Sequence, residues 1–199
     1  MNKLFKIILI ASFAITSMFA LNKDEIKPVM TKKIDNVLVI IKDENLSNDV
    51  KGEQIVKIID EVFDYRRMAL ISLGKKAWKS ASSEQKKRYL SAFETNLKNS
   101  YIDKLGLYTD QKVKVIDAES TFTKKSKKER IALKTELVGA SKVYKVNYLF
   151  YKSKKGWEIY DVNLDGTSVV TANKKQISGL LKQKSLEEVI IEMENKTKK

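Results

Sequence analysis

Apolar positions between residues 24 and 42 recur at three- and four-residue steps: Ile26, Met30, Ile34, Val37, Leu38 and Ile41. That spacing predicts an amphipathic helix, and Pro28 suits its first turn. A second helix is expected over about 48–61, with Ile55, Val56, Ile58 and Ile59 on its apolar side. Asp64 reads as the N-cap of a short helix from Tyr65 to Leu73, which Gly74 ends. Ser82 and Gln85 have capping-box spacing ahead of a long helix, about 83–105. Its buried stripe would be Tyr89, Leu90, Phe93, Leu97, Tyr101 and Leu105, and Gly106 closes it.

The period then falls to two. Lys112 to Glu119, Arg130 to Val138, Val143 to Tyr151 and Trp157 to Leu164 alternate as strands, with a turn from Gly139 to Lys142 and another at Gly156. Hairpin-length connections predict an antiparallel four-stranded meander, which Asp165-Gly166 stops. Two helices follow, about 168–183 and 186–196. Helices, then strands, then helices is an α+β arrangement, with the sheet covered by the long helix and its neighbours. Both faces of the last two strands are partly apolar, so periodicity does not choose which face a pocket would use. Tyr144, Val146, Tyr148 and Phe150 share one face of the third strand, and Asn147, Leu149 and Tyr151 the other. On the fourth strand, Trp157 and Ile159 oppose Tyr160 and Val162.

The first twenty residues differ in kind. Lys3 and Lys6 precede an apolar run from Ile7 to Ala14, and Phe19-Ala20 closes it. This is the layout of a secretory signal peptide, with the cut expected after Ala20; an uncleaved anchor or a buried first helix are the alternatives. Residues 21–199 would then be a single α+β domain with helical N- and C-terminal parts. Loss of Lys3 and Lys6 lowers the formal charge from +14 to +12.

The chain has no Cys and no His. Disulfides, cysteine nucleophiles, histidine bases, Ser-His-Asp triads and the common zinc sites are thereby excluded. No paired-carboxylate or Gly-rich phosphate signature stands out, so no cofactor or metal is expected. Basic residues cluster at Lys124, Lys125, Lys127 and Lys128 and at Lys152, Lys154 and Lys155. In a meander these two loops lie at the same end of the sheet. They form either a solubilising rim or an electrostatic contact for anionic headgroups or an acidic partner. Asp43-Glu44-Asn45-Leu46-Ser47 contains an Asn-x-Ser glycosylation acceptor at Asn45, with an acidic residue two positions earlier.

Three stretches carry a family resemblance. They are Phe63-Asp64-Tyr65-Arg66-Arg67-Met68-Ala69 with Leu73-Gly74; Trp78 through Tyr89, continuing to Phe93, Leu97 and Tyr101; and Gly156-Trp157-Glu158-Ile159-Tyr160-Asp161-Val162 with Gly166-Thr167-Ser168 and Leu180 to Lys184. In this order and behind an apolar leader, they make the chain resemble the MlaC family of periplasmic phospholipid-binding proteins, also called toluene-tolerance proteins. Ser82-Ser83 stands where the family usually has Thr-Pro, and Thr167 where it often has Val. The resemblance implies an NTF2-like fold. It also implies a soluble periplasmic carrier that moves phospholipid between an outer-membrane lipoprotein complex and an inner-membrane ABC transporter complex bearing an MCE-domain protein. That traffic would maintain outer-membrane lipid asymmetry.

Two acyl chains carry on the order of 30 CH₂ groups, and exposing them to water costs roughly 20 kcal/mol or more. A carrier must hide them in a deep apolar slot. The candidate lipid-binding residues are Leu73, Phe93, Leu97 and Tyr101 on the helices and Val146, Tyr148, Phe150, Tyr160 and Val162 on the sheet. Thr167, Val169 and Val170 join them, because the family's turn after the last strand lies by the pocket. Two rival functions are an enzyme on an NTF2-like sheet and a basic module for an acidic polymer or nucleic acid. The lysines are spread rather than striped, and no nucleic-acid partner is expected.

Overall fold

A computed structural model describes residues 20–102, 111–123, 126–139 and 142–197. Among these residues, seven helices and five strands follow one another as α1 (Ile26–Lys42), α2 (Asn48–Asp60), α3 (Tyr65–Leu73), α4 (Lys75–Ser80), α5 (Ser83–Ile102), β1 (Lys112–Thr123), β2 (Ser126–Val138), β3 (Val143–Ser153), β4 (Gly156–Leu164), β5 (Thr167–Ser168), α6 (Val169–Leu180) and α7 (Leu186–Lys196). The helix ends obey local chemistry. The Asp64 carboxylate accepts from the Arg67 N–H at 2.8 Å, and Gly74 ends α3 at φ 85°. Ser82 and Gln85 cap one another's backbone N–H groups, each at 3.1 Å. Ser185 and Glu188 do the same for α7.

The sheet is antiparallel in the order β1-β2-β3-β4-β5, so it has five strands rather than four. The correction comes from the Asp165-Gly166 pair. Both residues take positive φ, 48° and 85°, the geometry of a two-residue hairpin turn. The chain therefore does not stop there but turns back, and Thr167 and Ser168 pair with Leu164 and Asn163. The first four strands are a meander, and its β1–β2 and β3–β4 hairpins lie at one end. Gly106 and Leu105 lie outside the described residues, as does the interior of the Gly139–Lys142 turn.

Two apolar cores result. One joins the inner sheet face to α1 and contains Ile26, Met30, Ile131, Leu133, Phe150, Trp157, Ile159 and Val162. The other lies among α3, α5, α6 and α7 and contains Met68, Leu73, Tyr89, Phe93, Leu97, Val170, Ile177 and Ile190. Phe63 and Val169 pack against both. The long helix α5 thus does not cover the sheet as expected. Its stripe is used up by α3 and α7, and α1 packs on the sheet at β1. Tyr89 is fully buried and donates its hydroxyl to the Ala69 carbonyl at 3.2 Å.

The α1–α2 hairpin is tied to the sheet at both of its ends. Leu21 bridges Gly156 in parallel, and Phe63 bridges Ile159. The Trp157 N–H donates to the Leu21 carbonyl at 2.9 Å, and the Ile159 N–H to the Val62 carbonyl at 2.8 Å. Both ties fall in the first half of β4, so the α1–α2 turn is the far tip of the hairpin.

Candidate functional site

Between this hairpin and the sheet lies a cavity of about 330 Å³. Helix α1 supplies Met30, Ile34, Val37, Leu38 and Ile41, and α2 supplies Ile55, Ile58 and Ile59. The sheet supplies one inner-face residue from β1 and one from β2, Val113 and Leu137, which pair with each other. It also supplies Val146 and Tyr148 from β3 and Val162 and Leu164 from β4. Val62 and Phe63 complete the lining. The remaining residue, Lys33, is the one charged group among the described residues that line the cavity. Its ammonium donates to Glu61 Oε2 at 2.6 Å and to the Ile58 carbonyl at 3.2 Å. The charge is thereby held by the helix surface, and only the apolar stem faces the space. Burial pushes the Tyr148 phenol pKa up, so the ring presents a neutral hydroxyl.

One end of this layer is sealed. Ile26, Ile131, Phe150, Trp157 and Ile159 fill it to complete or near-complete burial. The cavity lies toward the β2–β3 hairpin, where Tyr144 and Leu164 are 43% and 41% exposed and form an apolar rim. A second cavity of about 300 Å³ lies among α5, α6 and α7. Phe93, Leu97, Thr167 and Val169 face it, and Leu164 lines both cavities.

The candidate lipid-binding residues therefore separate into groups. Val146, Tyr148 and Val162 line the apolar cavity. Phe93, Leu97, Thr167 and Val169 line the second. Leu73, Phe150 and Val170 are buried in the two cores and line neither cavity. Tyr101 belongs to α5, but its side chain lies outside the described residues. Tyr160 points away from the cavity because β4 carries a bulge. Leu149 pairs with Asp161 and Phe150 with Ile159, which leaves Tyr160 as the extra residue. The bulge puts Trp157, Ile159 and Val162 together in the sheet core and turns Tyr160 onto the outer face. There it meets Tyr151 edge-on at 5.8 Å, beside Arg130 at 5.5 Å.

Asp64 and Arg67 do not form an ion pair. The Asp64 carboxylate caps α3 and accepts from the Tyr151 hydroxyl, while the Arg67 guanidinium lies 5.0 Å from the Tyr151 ring centre. Lys152, Lys154 and Lys155 lie at the β3–β4 hairpin, at the sealed end. Six residues of strand, about 20 Å, separate Lys152 from Val146. Lys128 is exposed in β2 at the same end. Lys124, Lys125 and the side chain of Lys127 lie outside the described residues. Asn45 is exposed at the hairpin tip, where its backbone N–H and carboxamide both donate to Asp43 Oδ1, at 2.9 and 3.2 Å. Ser47 of the same motif caps α2. The proposed leader and its cut fall on residues 1–20, of which only Ala20 is described.

Sequence reasoning missed the α1 and α2 wall. Its signal was present in the stripes Ile34-Val37-Leu38-Ile41 and Ile55-Ile58-Ile59. An apolar stripe facing a cavity has the same period as one facing a filled core, so the pattern does not tell the two apart.

This arrangement offers apolar enclosure. Among the described residues, no group of three or more His, Cys, Asp or Glu is placed to hold a metal ion. No helix among them is long and apolar enough to cross a membrane. No curated protein sequence matches the chain. Its fold is similar to that of a solved structure, a phospholipid-binding protein from Ralstonia solanacearum in complex with a phospholipid. The TM-score is 0.70 at 20% identity, covering 86% of this chain and 96% of that one. The family model described as MlaC protein matches residues 31–195, which take in most of α1, all of α2 to α6 and the whole sheet; the chain belongs to the MlaC family.

Proposed function

We propose that this chain is a periplasmic phospholipid carrier that binds acyl chains in the cavity between the α1–α2 hairpin and the sheet. The observation that carries this reading is the lining itself. Four elements of the sheet and two helices converge on one space, and the one charged residue there has its ammonium tied to Glu61 and a backbone carbonyl. Such a space favours CH₂ groups by about 0.8 kcal/mol each and offers nothing to a charged substrate. Membership of the MlaC family and the phospholipid held by the Ralstonia solanacearum protein support the same ligand class. The work is done by binding rather than by bond chemistry. Delivery runs between an outer-membrane lipoprotein complex and an inner-membrane ABC transporter complex bearing an MCE-domain protein, and it serves lipid asymmetry of the outer membrane. The leader ending at Ala20 provides the export.

Organic extraction of the purified protein followed by mass spectrometry tests the ligand class. Phospholipid in a fixed molar ratio to protein is expected, and Val146→Asp is expected to lower that ratio at least tenfold while far-UV circular dichroism is unchanged. Protein that carries no lipid, or a Val146→Asp variant that stays fully loaded, removes the proposal.

A further inference from the structure

The apolar cavity, at about 330 Å³, is near the lower end of the roughly 300–1,000 Å³ of ordinary ligand sites. Its only polar side chains among the described residues are Tyr148, with one hydroxyl, and Lys33, whose ammonium is already tied to Glu61 and the Ile58 carbonyl. The second cavity differs in chemistry. Asn96, Ser100, Thr167 and Asn173 line it together with apolar residues, and no charged side chain does among the described residues. The Asn96 amide donates one N–H to the Met193 carbonyl and the Asn173 amide one to the Val169 carbonyl, both at 2.9 Å. Each amide is thus fixed in orientation by one bond. Its second N–H, and the Thr167 hydroxyl, have no partner among the described residues.

The N-terminus of α6 borders this cavity but is already served. Asp161 Oδ1 accepts from the Val170 N–H and Ser168 Oγ from the Thr171 N–H. The buried Asp161 carboxylate also makes the spot unfavourable for an anion. What remains is two oriented amide donors and a hydroxyl free to rotate, all of them neutral. Acceptors without charge, such as ester carbonyls, match them. Leu164 lines both cavities, so they lie next to one another there.

We infer that the cavity bounded by Asn96, Thr167 and Asn173 is the subsite for the glycerol–ester region of a two-chain lipid whose tails occupy the apolar cavity across Leu164. This rests on the carrier reading above and adds a basis for selection to it: the linkage between chain and glycerol is recognised. The phosphate then stays outside, in water.

Competition between linkages tests the inference. The protein is incubated with vesicles containing equal amounts of diacyl (ester) and dialkyl (ether) phosphatidylglycerol of the same chain lengths, recovered, and its lipid quantified by mass spectrometry. Ester lipid is expected in about tenfold excess, the worth of one or two hydrogen bonds. Thr167→Val, at an exposed hydroxyl without a partner among the described residues, should reduce the excess several-fold. Asn96→Leu with Asn173→Leu should abolish it while ether lipid still loads, which also shows that the variant folds. Equal loading of both lipids by the wild-type protein overturns the subsite and leaves the carrier reading intact. So does an ester preference that survives in both the Thr167→Val protein and a loaded double variant. Failure to take up either lipid overturns the carrier reading and the subsite with it.

Discussion

Gly156 holds φ at 108°, and a Cβ built there would lie 2.6 Å from the Leu21 nitrogen and 2.9 Å from the Ala20 backbone. Both the dihedral and the approach exclude a side chain. Neither obstacle is the end of a flexible side chain, so the substitution Gly156→Ala has no cheap relaxation. It should lower stability by about 2 kcal/mol or more and release Leu21 from β4, measured by denaturant unfolding and by hydrogen exchange at the Trp157 amide. Gly52 poses a closer contest. It is a buried helical residue whose Cβ would meet the Ile102 side chain at 2.9 Å. Alanine would gain about 1 kcal/mol of helix propensity. Forcing the α2–α5 contact apart costs about 1–3 kcal/mol. Gly52→Ala should therefore be destabilising by about 1 kcal/mol, and a stabilised variant would show that α5 yields at Ile102. The sequence marks Gly156 as a turn glycine, but the Leu21 bridge behind it comes from a distant part of the chain and leaves no local trace.

Among the elements, α7 is held differently from the rest. Its Val189 and Ile190 are fully buried, and Arg88 of α5 reaches Glu187 and Glu194 across the interface. The Glu187 pKa is held below the ordinary range, chiefly by Arg88 and then by Gln85. Glu188 is lowered by the Ser185 side chain and Glu192 by Lys184. A carboxylate with a depressed folded pKa contributes stability above its unfolded value, about 4.3, and loses that contribution as pH falls through the folded value. The melting temperature should thus decline below about pH 4, and Arg88→Ala should flatten that decline; a variant with the wild-type acid slope would assign the effect elsewhere. The Ser82–Gln85 capping box is legible in the sequence because it is a contact between residues three apart, and the Ser185–Glu188 box that the structure adds has the same spacing. Arg88 and its two glutamates are not legible in this way, since they meet only once α5 and α7 pack. The five strands show the same division. Alternation locates the first four, but β5 is two residues long, too short for a period, and depends on the positive φ values of Asp165 and Gly166.

At the scale of the whole molecule, two cores meet along Phe63 and Val169, and the cavities lie on either side of Leu164. Sequence patterning marks most of the walls as apolar but puts the long helix on the sheet, where α1, α3 and α6 make the contacts instead. Hydrophobic period reports that a face is dry without naming what dries it, and α5 found its partners in α3 and α7 rather than in the strands. The bulge at Tyr160 has the same origin, because alternation cannot register an extra residue. The lysines of the β3–β4 hairpin are remote from the apolar cavity, at the opposite end of the sheet. Neutralising Lys152, Lys154 and Lys155 together should leave the lipid content of the purified protein unchanged while weakening its adsorption to anionic vesicles at low salt. A loss of bound lipid would place those side chains nearer the ligand than the fold does.

The paired ties of the α1–α2 hairpin to β4 also set an order of events. The meander can form from neighbouring segments, whereas Leu21 and Phe63 have no partner until Gly156 and Ile159 have been made and paired with β3. Closing those long loops carries an entropic cost that local hairpins avoid. Helices α1 and α2, made before the sheet, are then the last to dock, and the cavity is the final space to be enclosed. In refolding, Trp157 should reach its native fluorescence after the strands have formed, and the apolar walls of the ligand site should stay wet until that last step.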